Sequence, residues 1–404
     1  MAASTPPFIH RGFTTPKLKT AVFLLEGLNS LSTTYFFYYI YFYMREQFHF
    51  AALQNLLLAA SMGLLQTVSA YYGGKFAQRY GYLTSVRMGA ALMAMSFLVG
   101  SQLSGVMATV AVVAFSNMAL YLTWPALEAL MSEGEPRARL QSLVGIYNVV
   151  WAVGGAVAYF FGGDLLQSWG PKSIFYAPAA VLVVEAALTI WLEREGERQP
   201  PPKRETSLSI LPPVGEASPI APAVFLKMAW LANPLAYLTI NTFVPTIPSI
   251  AARFHFAPRT AGFVCSIWMF VRAAAFIFLR LWPKWHYRFR FLAGSYLLMV
   301  VSFAGLLLAR KVEMLVLAQI GFGLSIGLIY YSSLFYSMDV GETKGEHGGI
   351  HEAAIGLGNA SGPGLAAGAL AFFPESPGSA TAAVCGLLVA GLGVLYWMRY
   401  RQSN

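Results

Sequence analysis

The stretch GGKFAQRYGYLTSVR, residues 73–87, is a short basic segment that separates two long apolar blocks, residues 51–73 and 84–104. Apolar runs of about 18 residues or more are typical of helices that cross a membrane. Two adjacent glycines, and a third at position 81, allow two helix ends to approach closely where the chain reverses direction. The stretch therefore predicts a tight polar turn between two membrane-spanning helices.

The same alternation of apolar blocks and short polar turns extends over the whole chain. Of its 404 residues, 57% are hydrophobic and 11% are charged, whereas a soluble domain carries roughly 25% charged residues. We count twelve apolar blocks, near residues 21–44, 51–73, 84–104, 106–131, 140–162, 173–192, 222–249, 260–282, 290–309, 314–337, 347–372 and 379–398. The pattern predicts an all-α membrane protein with twelve transmembrane helices.

One connection is much longer than the others. Residues 193–221, EREGERQPPPKRETSLSILPPVGEASPIA, begin with charges and continue rich in proline and serine, which is typical of a solvated linker. The linker divides the helices into two sets of six, and paired halves are common among transporters. We therefore predict an N-terminal six-helix bundle at residues 1–192, a cytoplasmic linker at 193–221 and a C-terminal six-helix bundle at 222–404.

The distribution of lysine and arginine predicts the orientation of the chain. If the N-terminus is cytoplasmic, the cytoplasmic segments hold 19 of the 27 basic residues and the outer segments hold 6, while Lys227 and Arg272 lie within helices. Because cytoplasmic loops carry an excess of such residues, we expect a multi-pass protein of the plasma (inner) membrane with both termini in the cytoplasm. The net charge is +9. The basic residues lie mostly between the apolar blocks and form no basic face, so we expect no nucleic-acid partner.

The segment 73–87 resembles the loop signature of the major facilitator superfamily, G-x-L-A-D-R-x-G-R-K-x-x-L. Five residues match the signature or are conservative, namely Gly74, Phe76, Ala77, Arg79 and Gly81. Gln78 stands where the family usually has aspartate. The stretch 349–368, GIHEAAIGLGNASGPGLAAG, resembles helix eleven of a bacterial branch of the family. The resemblance implies two pseudo-symmetric six-helix bundles and a conformational latch formed by Gly74, Gln78, Arg79 and Gly81.

Polar side chains inside the apolar blocks are the candidate site residues, because ionisable groups at membrane depth are costly and functional by default. The resemblance implies that helices one, four, seven and ten line a central cavity. The predicted substrate and proton pathway comprises Glu26, Asn29, Glu128, Asn233, Asn241, Arg272, Tyr330, Tyr331, His351 and Glu352. The side chain of Arg272 could reach Glu352 or an anionic group of the substrate. For Glu26 and Glu128, snorkelling to the membrane interface is as good an explanation as function.

The aromatic run 35–43, YFFYYIYFY, has two interpretations: an interfacial belt, which we favour, or a stacking platform for a substrate ring. His347 and His351 lie four residues apart with no evident third ligand, so we expect no metal. We also expect no cofactor.

These features favour a secondary active transporter that moves a small solute by alternating access with proton coupling. No Walker A sequence is present to bind ATP. A facilitative uniporter, or a receptor or scaffold of the same fold that transports nothing, stays open as an alternative. We find no paired catalytic groups, so we expect no enzyme. The expected partners are a small-molecule substrate, lipid and protons, and we expect a monomer.

Overall fold

The computed structural model describes residues 16–132, 137–198, 220–340, 346–376 and 378–403, and nearly all of them are helical. The α-helices are α1 (Pro16–Phe48), α2 (Ala52–Tyr80), α3 (Tyr82–Gly100), α4 (Val106–Leu120), α5 (Trp124–Ser132), α6 (Arg137–Trp169), α7 (Ser173–Glu197), α8 (Pro222–Phe243), α9 (Ile247–Arg253), α10 (Pro258–Cys265), α11 (Ile267–Leu281), α12 (Phe289–Leu308), α13 (Val312–Val340), α14 (Glu346–Phe372) and α15 (Ser379–Ser403). The described residues also form two 3-10 turns, Val244–Thr246 and Pro283–Trp285. These described ranges contain no β-strand, and the predicted all-α class is confirmed.

In the described part of the chain the α-helices form twelve membrane spans, because three of the spans are broken. Helices α4 and α5 form the fourth span, α8 and α9 the seventh, and α10 and α11 the eighth. Two bundles of six spans result, α1–α7 and α8–α15, as the sequence predicts. Pro125 and Pro245 lie at the first two breaks, where proline removes a backbone donor and ends the regular ladder.

Among the described residues, nine of the spans are long and apolar enough to cross a membrane. The remaining three, α1, α2 and α14, are as long but less apolar. Part of their polarity comes from Glu26, Gln66 and Glu352, all of which are buried. The lower hydropathy of these three spans therefore comes in part from side chains that face the interior rather than lipid.

The outward surface of the bundles is apolar. Leu64, Met107 and Leu281 are 60%, 80% and 75% exposed. Hydrocarbon, unlike water, is a suitable solvent for such a surface. The interior buries asparagine, serine, threonine and glutamate side chains among its apolar residues. This arrangement is that of a membrane protein with a polar pathway inside.

The two bundles meet most extensively along two pairs of spans. Helix α2 packs against α14, and α6 packs against α10 and α11. Glycines set the distance in both places. A Cβ atom on Gly63 would collide with the backbone of Asn359 and Ala360, and one on Gly163 would collide with the carbonyl of Pro258. Such small residues allow helix backbones to approach closely where lipid provides no hydrophobic driving force.

The turn between α2 and α3 is shorter than the sequence suggested. Helix α2 continues to Tyr80 and α3 begins at Tyr82, so Gly81, with φ of 98°, is the whole turn. Most of the stretch 73–87 is therefore helical. Gly73 serves packing rather than the turn, because a Cβ there would collide with the carbonyl of Tyr121. At the other boundary, α7 continues to Glu197, five residues into the expected linker; residues 199–219 lie outside the described residues.

The favoured interpretation of the aromatic run 35–43 as an interfacial belt is wrong. All of its rings except that of Tyr38 are buried inside the protein. The hydroxyl of Tyr39 donates to the carbonyl of Tyr159 at 2.6 Å, and the Tyr35 hydroxyl is 2.7 Å from that of Ser173. Helix α1 is packed by α6 and α7 over this region. Protein therefore packs around most of the run, while Phe37 and Tyr38 face an internal cavity rather than lipid.

Candidate substrate and proton pathway

A central cavity lies between the two bundles, with about 90 Å³ open to water-sized molecules. Both bundles contribute to its wall. The polar part of the lining consists of Ser30, Thr33, Thr34, Gln66, Asn117, Asn241, Arg272 and Asn359. The aromatic part consists of Phe37, Tyr38, Tyr121, Trp124, Trp151 and Tyr237. Of the predicted pathway residues, Asn241 and Arg272 line this cavity.

A chain of hydrogen bonds connects the cavity to the predicted acid on α14. Asn241 donates from Nδ2 to Oδ1 of Asn359 at 2.5 Å, and Asn359 donates to Oε1 of Gln66 at 2.6 Å. Gln66 in turn donates from Nε2 to the backbone carbonyl of Glu352 at 3.3 Å and to its carboxylate at 3.4 Å. Gln66 belongs to the N-terminal bundle and the other three to the C-terminal bundle. The chain therefore crosses the contact between α2 and α14.

Glu26 is the most isolated of the predicted acids. Its side chain is 0% exposed, and within the described part of the chain its carboxyl group interacts with the hydroxyl of Tyr147 but forms no well-aligned hydrogen bond. Tyr147 and Glu128 lie within electrostatic range of it. Because α1 begins at Pro16, Glu26 lies ten residues into the helix, about 15 Å along its axis. Snorkelling does not account for a side chain that is fully covered by protein at this depth.

A second buried acid, Glu185 on α7, was not among the predicted pathway residues. Asn29 donates to its Oε1 at 3.0 Å, while Thr123 donates to Oδ1 of Asn29 at 3.4 Å. The three residues connect α7, α1 and the break between α4 and α5. Helix α7 faces α1 and α3, so the side chain of Glu185 points inward.

Arg272 on α11 lies against indole rings rather than carboxylates. Its guanidinium carbon is 4.3 Å from the ring centre of Trp151 and 4.9 Å from that of Trp268. The side chain is 2% exposed and its Nε has no acceptor among the described residues. The possible pairing with Glu352 is not formed. The Glu352 side chain bonds Gln66 instead.

A break in the eighth span, just before Arg272, has a side chain inserted into it. Gln319 on α13 donates to the carbonyl of Val264 at 2.9 Å and accepts from the backbone N–H of Trp268 at 3.5 Å. The amide therefore replaces the helix bonds lost between α10 and α11. No proline marks this break in the sequence, which is why it was not predicted.

The other predicted pathway residues lie around these groups. Asn233 is buried on α8, and its amide atoms have no partner among the described residues. Tyr330 stacks on Trp151 at 5.2 Å, and Tyr331 packs near Phe276 at 5.9 Å. Glu128 lies partly buried on α5. His351 belongs to α14, but its side chain lies outside the described residues.

The predicted latch residues occupy two environments. Gly74 is buried and Gly81 forms the turn, whereas the side chains of Gln78 and Arg79 are exposed. The Arg79 guanidinium lies 5.4 Å from the ring centre of Tyr80. Their role as a conformational latch stays a prediction.

Two six-span bundles around a polar cavity are the architecture of membrane transport proteins. A family model described as Major Facilitator Superfamily matches residues 22–235, more than half of the chain. The chain belongs to the major facilitator superfamily.

Similar proteins agree with this family. The solved structure of a mutant of the nucleoside transporter NupG covers 94% of this chain and 99% of its own, with a TM-score of 0.68 and 15% identity. That of the human organic anion transporter MFSD10 (TETRAN) covers 95% and 100%, with a TM-score of 0.67 and 13% identity. A quinate permease of Emericella nidulans is 24% identical over 183 residues, 38% of this chain. The match spans a third of the length of that permease.

Proposed function

We propose that this protein is a proton-coupled secondary transporter that moves a small solute across the plasma (inner) membrane by alternating access. Both termini face the cytoplasm in this proposal, which the excess of basic residues on that side supports. The observation that carries the proton coupling is the position of Glu352. Its carboxyl group is buried where the two bundles meet, one amide away from the cavity.

The position of Glu352 links its charge to the contact between the bundles. When the carboxylate is ionised, it accepts a charge-assisted hydrogen bond from Gln66 across the interface between α2 and α14. When a proton is bound, that bond becomes an ordinary neutral one and the charge no longer has to be buried. Binding or release of a proton therefore changes the free energy of closing this interface.

The same amide links Glu352 to the solute. Gln66 also accepts from Asn359, and Asn359 accepts from Asn241; all three amides line the cavity. A solute that bonds one of these amides competes with the chain of hydrogen bonds. Occupancy of the cavity and protonation of Glu352 then act on one network, as coupled transport requires.

Glu26 supplies a second candidate for proton binding. A fully buried carboxyl group is stable as the neutral acid and is costly as an anion. Glu128 and Tyr147 near it offer a route by which a proton could pass along the N-terminal bundle. Glu352 at the interface stays the primary site in this proposal, because its carboxylate bonds Gln66 of the other bundle.

The proposal is tested with the full chain in proteoliposomes under an imposed pH gradient. Uptake is measured for a panel that includes quinate and a nucleoside, the compounds in the names of two similar proteins. We expect the gradient to drive accumulation of at least one compound. Glu352→Gln should abolish accumulation but preserve exchange of labelled for unlabelled compound, because exchange needs no net proton movement. Gradient-driven accumulation that is unchanged in Glu352→Gln contradicts the proposal.

The matched control is Glu313→Gln. Glu313 is an exposed acid in the first turn of α13, away from both the cavity and the interface. The same removal of one carboxylate there should leave gradient-driven accumulation at the wild-type level.

A further inference from the structure

The guanidinium of Arg272 is a buried cation that no carboxylate among the described residues neutralises. It faces the central cavity, and among the described residues no carboxylate lies within ion-pair distance of it. The groups that influence it electrostatically are the phenols of Tyr38, Tyr237 and Tyr330. A cation at membrane depth ordinarily pairs with an anion, because its burial alone costs several kcal/mol.

The indole rings of Trp151 and Trp268 stabilise this cation without satisfying its hydrogen bonds. Each ring attracts the charge through its π face. Neither ring offers an oxygen or nitrogen acceptor, since the indole nitrogen is only a donor. The guanidinium has five N–H groups in a rigid fork, and its Nε finds no acceptor within the described part of the chain. The cation is thus held in place with unused donors beside the cavity.

The surroundings hold Arg272 in this position before any solute arrives. Trp151 is stacked on Tyr330, and its carbonyl accepts from the Ser30 hydroxyl at 2.7 Å. Gln319 fixes the backbone at Trp268, one turn before Arg272. Restraint of both rings restricts the guanidinium, and a preorganised site loses less free energy on binding.

We propose that Arg272 binds the carboxylate of a small organic monocarboxylic acid, which is the solute class of this transporter. The planar fork matches a carboxylate in a bidentate geometry. One cation neutralises one negative charge, so a dianion would bring an uncompensated charge into the interior. The rest of the solute lies among the aromatic rings and the amides of Asn241 and Asn359, which accept and donate hydrogen bonds.

This inference names the solute of the transporter proposed above and rests on that function, but its test requires neither a gradient nor transport. The full chain is purified in detergent, and binding is followed by quenching of tryptophan fluorescence, because two tryptophans flank Arg272. The probes are lactate and cyclohexanecarboxylate, each compared with its own amide, lactamide and cyclohexanecarboxamide. Acid and amide have nearly the same shape and differ mainly in charge.

We expect at least one acid to bind the wild type about tenfold more tightly than its amide, the range of a charge-assisted hydrogen bond. Arg272→Gln should remove this preference, and Arg272→Lys should keep only part of it. Arg290→Gln is the matched control, because Arg290 is exposed on α12 and also lies over a ring, that of Phe291. That control should keep the full preference.

The proposal is overturned if the wild type binds acid and amide equally, or binds neither, or if Arg272→Gln keeps the preference. The comparison of acid with amide in the wild type tests for a carboxylate site even where Arg272→Gln fails to fold. Glu352→Gln should retain the preference. Loss of proton coupling in that variant is therefore distinguishable from loss of the carboxylate site.

Discussion

The two contacts between the bundles use different chemistry. Where α2 meets α14, backbones touch at Gly63, and the polar groups are neutral amides and the carboxyl of Glu352. Where α6 meets α10 and α11, aromatic rings surround Arg272. A carboxyl group can gain or lose a proton, whereas a guanidinium keeps its charge at any physiological pH.

This difference suggests a division of roles between the two contacts. The contact of α2 with α14 can change its strength with protonation, and the contact of α6 with α11 presents a constant positive charge to the cavity. Because Glu352 and Arg272 lie at different contacts, their charges do not neutralise each other directly. An ion pair between Glu352 and Arg272 would have left neither group available to a proton or a solute.

The largest effect is expected from Gly63→Ala, which tests whether the contact of α2 with α14 depends on touching backbones. The added methyl would overlap the backbone of Asn359 and Ala360. Overpacking of this kind costs about 1–3 kcal/mol, and we expect the transport rate to fall by about tenfold or more. Gly368→Ala on α14 is the control, because a Cβ there meets nothing within 4 Å. Equal transport by the two variants would show that the close approach is dispensable.

An intermediate effect is expected from Gln66→Leu, which removes the amide between Glu352 and the cavity. Loss of one partner of a charge-assisted hydrogen bond costs about 1.5–3 kcal/mol, so gradient-driven accumulation should fall by about tenfold. The double variant Gln66→Leu with Glu352→Gln should lower the melting temperature in detergent by less than the sum of the two single variants, because both changes disrupt one interaction. Additive losses in this double-mutant cycle would mean that the two residues act separately.

The smallest effect is expected from Gln319→Leu, which tests the contact of α6 with α10 and α11 next to Arg272. It leaves the carbonyl of Val264 and the N–H of Trp268 without their side-chain partner. We expect the free energy of unfolding to fall by about 1–3 kcal/mol, seen as a lower melting temperature in detergent. The preference of the site for a carboxylate over an amide should weaken by only about twofold, since Arg272 and both indoles remain. A melting temperature equal to that of the wild type would contradict the role of Gln319 in the break.

The fold was predictable because lipid imposes long apolar blocks and short turns. Arg272 and Glu352 were also predictable as buried, because an ionisable residue in such a block is conspicuous. Their neighbours were not. Gln66, Asn359 and Gln319 are neutral amides whose partners lie far away in sequence. No local pattern pairs such residues.

The structure also differs from the sequence-based prediction at the aromatic run 35–43 and at the stretch 73–87, again because packing between distant residues decides the outcome. The aromatic run of α1 has rings on all sides, and only the packing of neighbouring helices determines whether protein or lipid covers them. The stretch 73–87 contains glycines and charges that are typical of a loop, yet it continues as helix because Gly81 alone reverses the chain. Glycine in a helix carries a cost of only about 1 kcal/mol, which close packing at Gly73 offsets.

The single-residue turn at Gly81 has a mechanical consequence. Successive Cα atoms are about 3.8 Å apart, so the facing ends of α2 and α3 have almost no slack between them. Helix α3 packs along α7, and α2 is therefore tethered to the body of its bundle at one end. A displacement that begins where α2 meets α14 cannot be absorbed as a slide of α2 alone. Such a displacement would instead tilt α2 together with α3 and the helix α7 that packs against α3.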